Sequence, residues 1–179
     1  MKTIVVTGTH GVGKTSLCNR LVEKLSNVLD IKMIPEMARI LIAKGIPLND
    51  KANEFAIVSY IAEYLRYTRE TRAALVVSDR SVFDLFAYIS LGRAKGVRDE
   101  FFSLAQEVVF QEVQWVNAYV YVPIEFGLLL DNVRPVDAEY QQAVDIKIQE
   151  LLRFFGATVL TVSGTLEERT TAVTSWLNV

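Results

Sequence analysis

Four short β-branched runs punctuate the chain: Thr3 to Thr7, Ala74 to Ser78, Ala118 to Val122 and Thr158 to Val162. They are nearly continuous in apolar character, the pattern of parallel strands buried on both faces. A weaker fifth run, Ile31 to Ile34, lies between the first two. Helical periodicity fills the gaps. After the first strand, Leu17, Leu21, Leu25 and Val28 recur at helical spacing. The stretch 51–73 places Phe55, Val58, Ile61, Ala62 and Leu65 on one side of a long helix. Residues 82–91 and 99–113, Gln141 to Phe155, and Leu166 to Leu177 also read as helices. Strands alternating with helices predict an α/β fold with a parallel sheet. Right-handed crossovers then put helices on both faces. Two connections stand out as candidate mobile loops, Gly92 to Asp99 and Pro123 to Asp137.

Composition narrows the class. The 179 residues suit one domain, 1–179, with no repeat or linker, and 51% of them are apolar. The net charge of −2 excludes a global basic field for a nucleic-acid backbone. One cysteine, Cys18, cannot close an internal disulfide, as expected in a reducing compartment. The apolar run Ile4-Val5-Val6 is too short for a signal-peptide core, and no segment reaches membrane-spanning length. The expectation is a soluble, cytoplasmic protein without a membrane partner.

The chemistry is concentrated in Gly8-Thr9-His10-Gly11-Val12-Gly13-Lys14-Thr15. This string matches G-x-x-x-x-G-K-[ST] between an apolar strand and an amphipathic helix, the context that confirms a phosphate-binding loop. Its glycines let the backbone curl so that N–H groups face inward onto phosphate oxygens. The following helix, through Ser16, adds its positive N-terminal end. Lys14 is expected to reach the β- and γ-phosphates of ATP or GTP, and Thr15 to ligate Mg²⁺. His10, the only histidine, would serve through its backbone.

Two further carboxylates sit at strand ends. Asp79 closes the run Leu75-Val76-Val77-Ser78 and would project into the crevice where such sheets bind ligands, able to hold Mg²⁺. Arg80 beside it offers a planar fork to phosphoryl oxygens. The bland alternative makes Asp79 a cap for the helix near Val82 and leaves Arg80 solvated. Glu36, in Pro35-Glu36-Met37-Ala38-Arg39, could take a proton from an acceptor hydroxyl. Its alternative is a first-turn Glu favoured by the helix dipole, with Arg39 as ion-pair partner.

These elements, with Asn132-Val133-Arg134-Pro135-Val136-Asp137 and Glu168-Arg169, occur in an order that resembles the small AAA-type P-loop kinases. That group includes the ribosylnicotinamide kinase domain of the NadR proteins. More distantly the chain is similar to thymidylate and deoxynucleoside kinases. The resemblance implies a three-layer fold with a five-stranded parallel sheet in the order 2-3-1-4-5. It implies that Glu36 is base or substrate ligand, that Asp79 is the acidic residue after the third strand, and that Arg134 is a lid arginine. Ser81 departs from the aromatic residue thymidylate kinases usually carry there, so the resemblance does not name that substrate.

The connection Pro123 to Asp137 is longer than most, and long loops beside a phosphate site often act as lids. Arg134, stiffened by Pro135, would deliver charge on closure. Tyr60, Tyr64 and Tyr67 form a stripe open to three readings: core, homodimer face, or a platform for a substrate base. Arg66, Arg69 and Arg72 read as a solvated face with Glu63 and Glu70 as partners. The basic loop Arg93 to Arg98 could cover an acidic substrate or nucleic acid but reads more simply as solvated, and Cys18 reads as packed. Ser163-Gly164-Thr165 follows the last strand, where loops of this group border the adenine.

The leading function is an ATP- and Mg²⁺-dependent kinase for a nucleoside, nucleotide or related small molecule. A GTPase switch would carry N-K-x-D and D-x-x-G, which are absent from the sequence. An ATPase motor would place a catalytic Glu where Arg80 stands. A kinase for a modified base within nucleic acid remains a variant that the acidic charge disfavours.

Overall fold

The computed structural model describes residues 2–46, 48, 53–91, 97–125 and 138–178. Five parallel strands form one sheet: β1 (Lys2–Thr7), β2 (Ile31–Ile34), β3 (Leu75–Asp79), β4 (Ala118–Tyr121) and β5 (Val159–Thr161). Their order is β2-β3-β1-β4-β5, as the resemblance implied. Among the described residues the helices are α1 (Lys14–Leu25), α2 (Met37–Ala43), α3 (Glu54–Glu70), α4 (Val82–Ser90), α5 (Asp99–Trp115), α6 (Ala138–Phe154) and α7 (Leu166–Leu177).

Alternation along the strands divides the interior in two. Ile4, Val6, Val77 and Val120 pack with Leu17, Leu21 and Val173, so α1 and α7 cover one face. Val5, Val76, Tyr119 and Tyr121 pack with side chains of α2 to α6 on the other. This confirms both-face burial for β1, β3 and β4. It does not hold for β5, whose residues are exposed or half-buried, nor for most of β2. Both are edge strands with a neighbour on one side only.

Two predicted helix faces are corrected. Val28 lies beyond the end of α1 and is 69% exposed. On α3 the buried face is Ala56, Ile57, Tyr60, Ile61 and Tyr64, while Phe55 and Val58 are exposed. Two apolar stripes overlap on that helix, and the one carrying the two tyrosines faces the sheet. Tyr60 and Tyr64 are therefore core residues, and only Tyr67 of the stripe stays half-buried. Arg66 pairs with Glu63 and Glu70 on the outer side, as expected. No helix among the described residues is long and apolar enough to cross a membrane.

The register positions the chemistry. Val6 of β1 lies opposite Asp79 of β3, so the chain leaving β1 at Gly8 runs beside the carboxyl end of β3. Ligands of open α/β sheets bind in such a crevice.

Candidate active site

The loop from Gly8 to Gly13 turns on three glycines with positive φ, at 139°, 79° and 90° for Gly8, Gly11 and Gly13. At Gly8 a Cβ would stand 2.4 Å from the Val122 carbonyl oxygen, so a side chain there would force the loop off β4. Gly13 is the N-cap of α1 and has no capping side chain, which leaves the first N–H groups of the helix facing the loop.

Lys14 is 4% exposed and folds back to donate to the Thr9 carbonyl. Burial, with help from the nearby Arg80 charge, holds its pKa down to about 7. An ammonium so poorly solvated gains strongly from an incoming polyanion. Thr15 donates its hydroxyl to Asp79 Oδ2 at 2.6 Å. Asp79 is 1% exposed, and its Oδ1 has no hydrogen-bond partner among the described residues. A hydroxyl and a carboxylate side by side, with one buried oxygen unsatisfied, match the hard oxygen donors that Mg²⁺ prefers.

Arg80 lies at φ 70°, a left-handed conformation that costs a non-glycine residue free energy. It is held there by Arg80 N–H to Val6 O at 3.1 Å and by the Ser78 hydroxyl to its carbonyl at 2.6 Å. The turn swings the guanidinium inward, where it is 7% exposed overall. It donates to Glu36 Oε1 at 2.8 Å and to Gly8 O at 3.3 Å, lies 3.6 Å from Asp84, and stacks 5.5 Å from the Tyr88 ring centre. Burial opposes its charge, but Tyr88, Glu36, Asp84 and Asp79 together hold its pKa above the usual arginine range. Glu36 is 8% exposed, and Arg39 donates to its second oxygen at 2.8 Å.

The solvated-Arg80 alternative therefore fails, and so does capping by Asp79. Ser81 caps α4, paired with Asp84 in a capping box. Asp84 also accepts from Thr7 Oγ1 at 3.0 Å, and burial raises its pKa against the pull of Arg80 and Lys14. The spacing Ser81-x-x-Asp84 is a legible capping signal that the sequence reading did not use. Cys18 is fully buried, with its thiol pKa pushed up by burial, so it packs.

The structure thus gathers Lys14, Thr15, Asp79, Arg80 and Glu36 at one end of the sheet. His10 is buried, with Nδ1 3.2 Å from the Tyr88 hydroxyl. Arg134 and the rest of the segment from 126 to 137 lie outside the described residues, as do Arg93 and Lys95 of the basic loop. Sequence reasoning missed Glu125 and Gln141. Glu125 accepts from Gly164 N and from Arg169, and Gln141 reaches the His10 carbonyl. These contacts span 39, 44 and 131 residues and leave no local signal.

A family described as an AAA domain matches residues 3–169. The chain belongs to this AAA domain family. No curated protein matches it. Among solved structures, this AAA-domain chain is similar to a NadR protein in complex with NR, at TM-score 0.79 and 17% identity. That match covers 99% of this chain and 52% of the NadR chain, so the chain spans about half the length of that relative. A thymidylate kinase from Ehrlichia chaffeensis aligns at TM-score 0.67 and 16% identity, covering 98% of each chain. A deoxyadenosine kinase from M. mycoides aligns at TM-score 0.66 and 13% identity, also covering 98% of each. These likenesses show that the chain shares the fold of those proteins.

Proposed function

We propose that this AAA-domain protein is an ATP- and Mg²⁺-dependent kinase that phosphorylates a nucleoside, nucleotide or related small molecule. The observation that carries the proposal is the Thr15–Asp79 pair beside buried Lys14, with the Arg80–Glu36–Arg39 cluster next to it. Support comes also from the fold shared with kinases of nucleosides and nucleotides.

In this scheme the Gly8–Thr15 loop binds the phosphates of the donor through backbone N–H groups and the α1 N-terminus. Lys14 leaves the Thr9 carbonyl and neutralises the transferring group. Thr15 and Asp79 would hold Mg²⁺, which supplies charge neutralisation at phosphate oxygens. Glu36 orients the acceptor or accepts the proton of its hydroxyl, and Arg80 keeps that carboxylate aimed at the donor. Arg134, carried over from the resemblance, would complete the charge balance. The protein works in the cytoplasm on a soluble acceptor.

The test is ADP release from ATP with Mg²⁺, measured with and without a panel of nucleosides and nucleotides. A kinase releases ADP only when an acceptor is present. Equal ADP release without any acceptor would instead mark an ATPase and sink the proposal.

A further inference from the structure

The phosphate-binding loop is gripped from outside by two buried polar side chains that neither the loop motif nor α1 supplies. Gln141, in the first turn of α6 and 4% exposed, donates from Nε2 to the His10 carbonyl at 2.8 Å. Arg169, in the first turn of α7 and 6% exposed, donates from Nη1 to the Val12 carbonyl at 2.8 Å.

The two carbonyls are spaced by two residues, and that spacing matters. A trans peptide is planar, with its C=O and N–H on opposite sides. The His10 carbonyl shares its plane with the Gly11 N–H, and the Val12 carbonyl with the Gly13 N–H. Holding both carbonyls outward turns both N–H groups the other way. Gly11 and Gly13 are also the loop residues at φ 79° and 90°, the conformations that gather successive N–H groups into an anion-binding concavity. Such peptides would otherwise rotate easily, because glycine lacks a Cβ to bias them.

Arg169 is itself immobilised. Its Nε donates to Gly164 O at 2.9 Å, and its Nη2 to Glu125 Oε2 at 2.7 Å. Glu125 accepts in turn from Gly164 N at 2.9 Å. A buried guanidinium with two of its three nitrogens already held by other chain segments loses little further entropy when the third holds the Val12 carbonyl in place.

Resting on the phosphate-binding reading above, we propose that Gln141 and Arg169 are positioning residues that preset the Gly11 and Gly13 amides toward phosphate. Each acts through a peptide plane and touches no ligand itself. A preset cradle does not have to order itself on binding, so the gain appears as affinity for the phosphate chain.

The experiment uses the whole chain, with inorganic tripolyphosphate and ATP as probes, each with Mg²⁺, measured by calorimetry. Gln141→Met keeps length and removes the donor. Arg169→Lys keeps the charge and removes the fork. Each variant is expected to bind tripolyphosphate about tenfold more weakly, the scale of one lost buried hydrogen bond. ATP affinity falls by the same factor. In the nucleotide-free protein, the Gly11 amide resonance moves and exchanges faster in Gln141→Met, and the Gly13 amide does so in Arg169→Lys. A general loss of structure would not sort the two amides this way. Unchanged tripolyphosphate affinity in both variants overturns the proposal. So does a loss confined to ATP, which would place Arg169 on the base side through Gly164. Should Arg169→Lys fail to fold, Gln141→Met decides alone. Failure of the wild-type protein to bind tripolyphosphate would instead refute the phosphate-binding reading itself.

Discussion

Glu112 gives the sharpest quantitative expectation. This carboxyl, on α5, is 2% exposed beneath α4. Its Oε1 accepts from the Tyr119 hydroxyl at 2.7 Å, and its Oε2 is buried with no hydrogen-bond partner among the described residues. Burial pushes its pKa from 4.5 up to about 7, against the opposing help of Tyr119, the nearby Ser81 hydroxyl and the Val82 amide. Between pH 4.5 and about 7 the folded chain keeps this proton while the unfolded chain has lost it. Stability from this group is therefore fully present below pH 4.5 and is lost as pH rises through about 7. The difference corresponds to about 3 kcal/mol at pH 8. Glu112→Gln keeps the shape and the acceptor for Tyr119 but never ionises. The variant should be more stable than wild type at pH 8, by up to about 3 kcal/mol, and nearly equal to it at about pH 4. In a chain of this size the pH 8 gain corresponds to roughly 6–12 °C in Tm. Urea unfolding at the two pH values measures it. A difference between variant and wild type that does not change with pH would refute the reasoning, as would destabilisation at pH 8.

Lys14, with its pKa near 7, should take up a proton when nucleotide binds at pH 8, because the polyanion favours the charged form. Calorimetry in buffers of different ionisation enthalpy reads that uptake, and Lys14→Met should abolish it. Asp79→Asn should raise the Mg²⁺ requirement, since it removes the unpartnered carboxylate oxygen. Glu36→Gln should leave that requirement unchanged and lose phosphoryl transfer; Mg²⁺ titrations that coincide for both variants would defeat the assignment. Arg134→Ala should lower kcat far more than it changes ATP affinity, because a closing arginine contacts the transferring group mainly in the transition state. Unchanged kcat would send the search for a closing cation to Arg39, Arg80 or the Arg93 to Arg98 loop.

Much of this protein is written locally. The strand, loop and helix around Gly8 to Thr15 announce themselves because glycine, lysine and threonine must occupy fixed positions to curl a backbone around phosphate. The apolar runs of β1, β3 and β4 are legible because strands buried on both faces tolerate few polar residues. Asp79 could be singled out because it closes such a run, and Glu36 because it comes just after the weaker run of β2. What the sequence could not settle was choice among equals. The α3 stripe through Phe55 and Val58 is as apolar as the one through Tyr60 and Tyr64, and only packing against the sheet selected the second. Arg80 is another such case. Whether it met water or Glu36 depended on a left-handed turn that neighbouring Ser78 supports locally but that Val6 of β1 also holds from far along the chain. Gln141 and Arg169 lie 131 and 157 residues from the carbonyls they hold, so no periodicity or spacing relates them to the loop. Their partnership exists because β4 and β5 bring the starts of α6 and α7 to the same end of the sheet as the glycine-rich loop. Local sequence fixes what a short segment can do, but only the closed fold decides which buried polar groups meet.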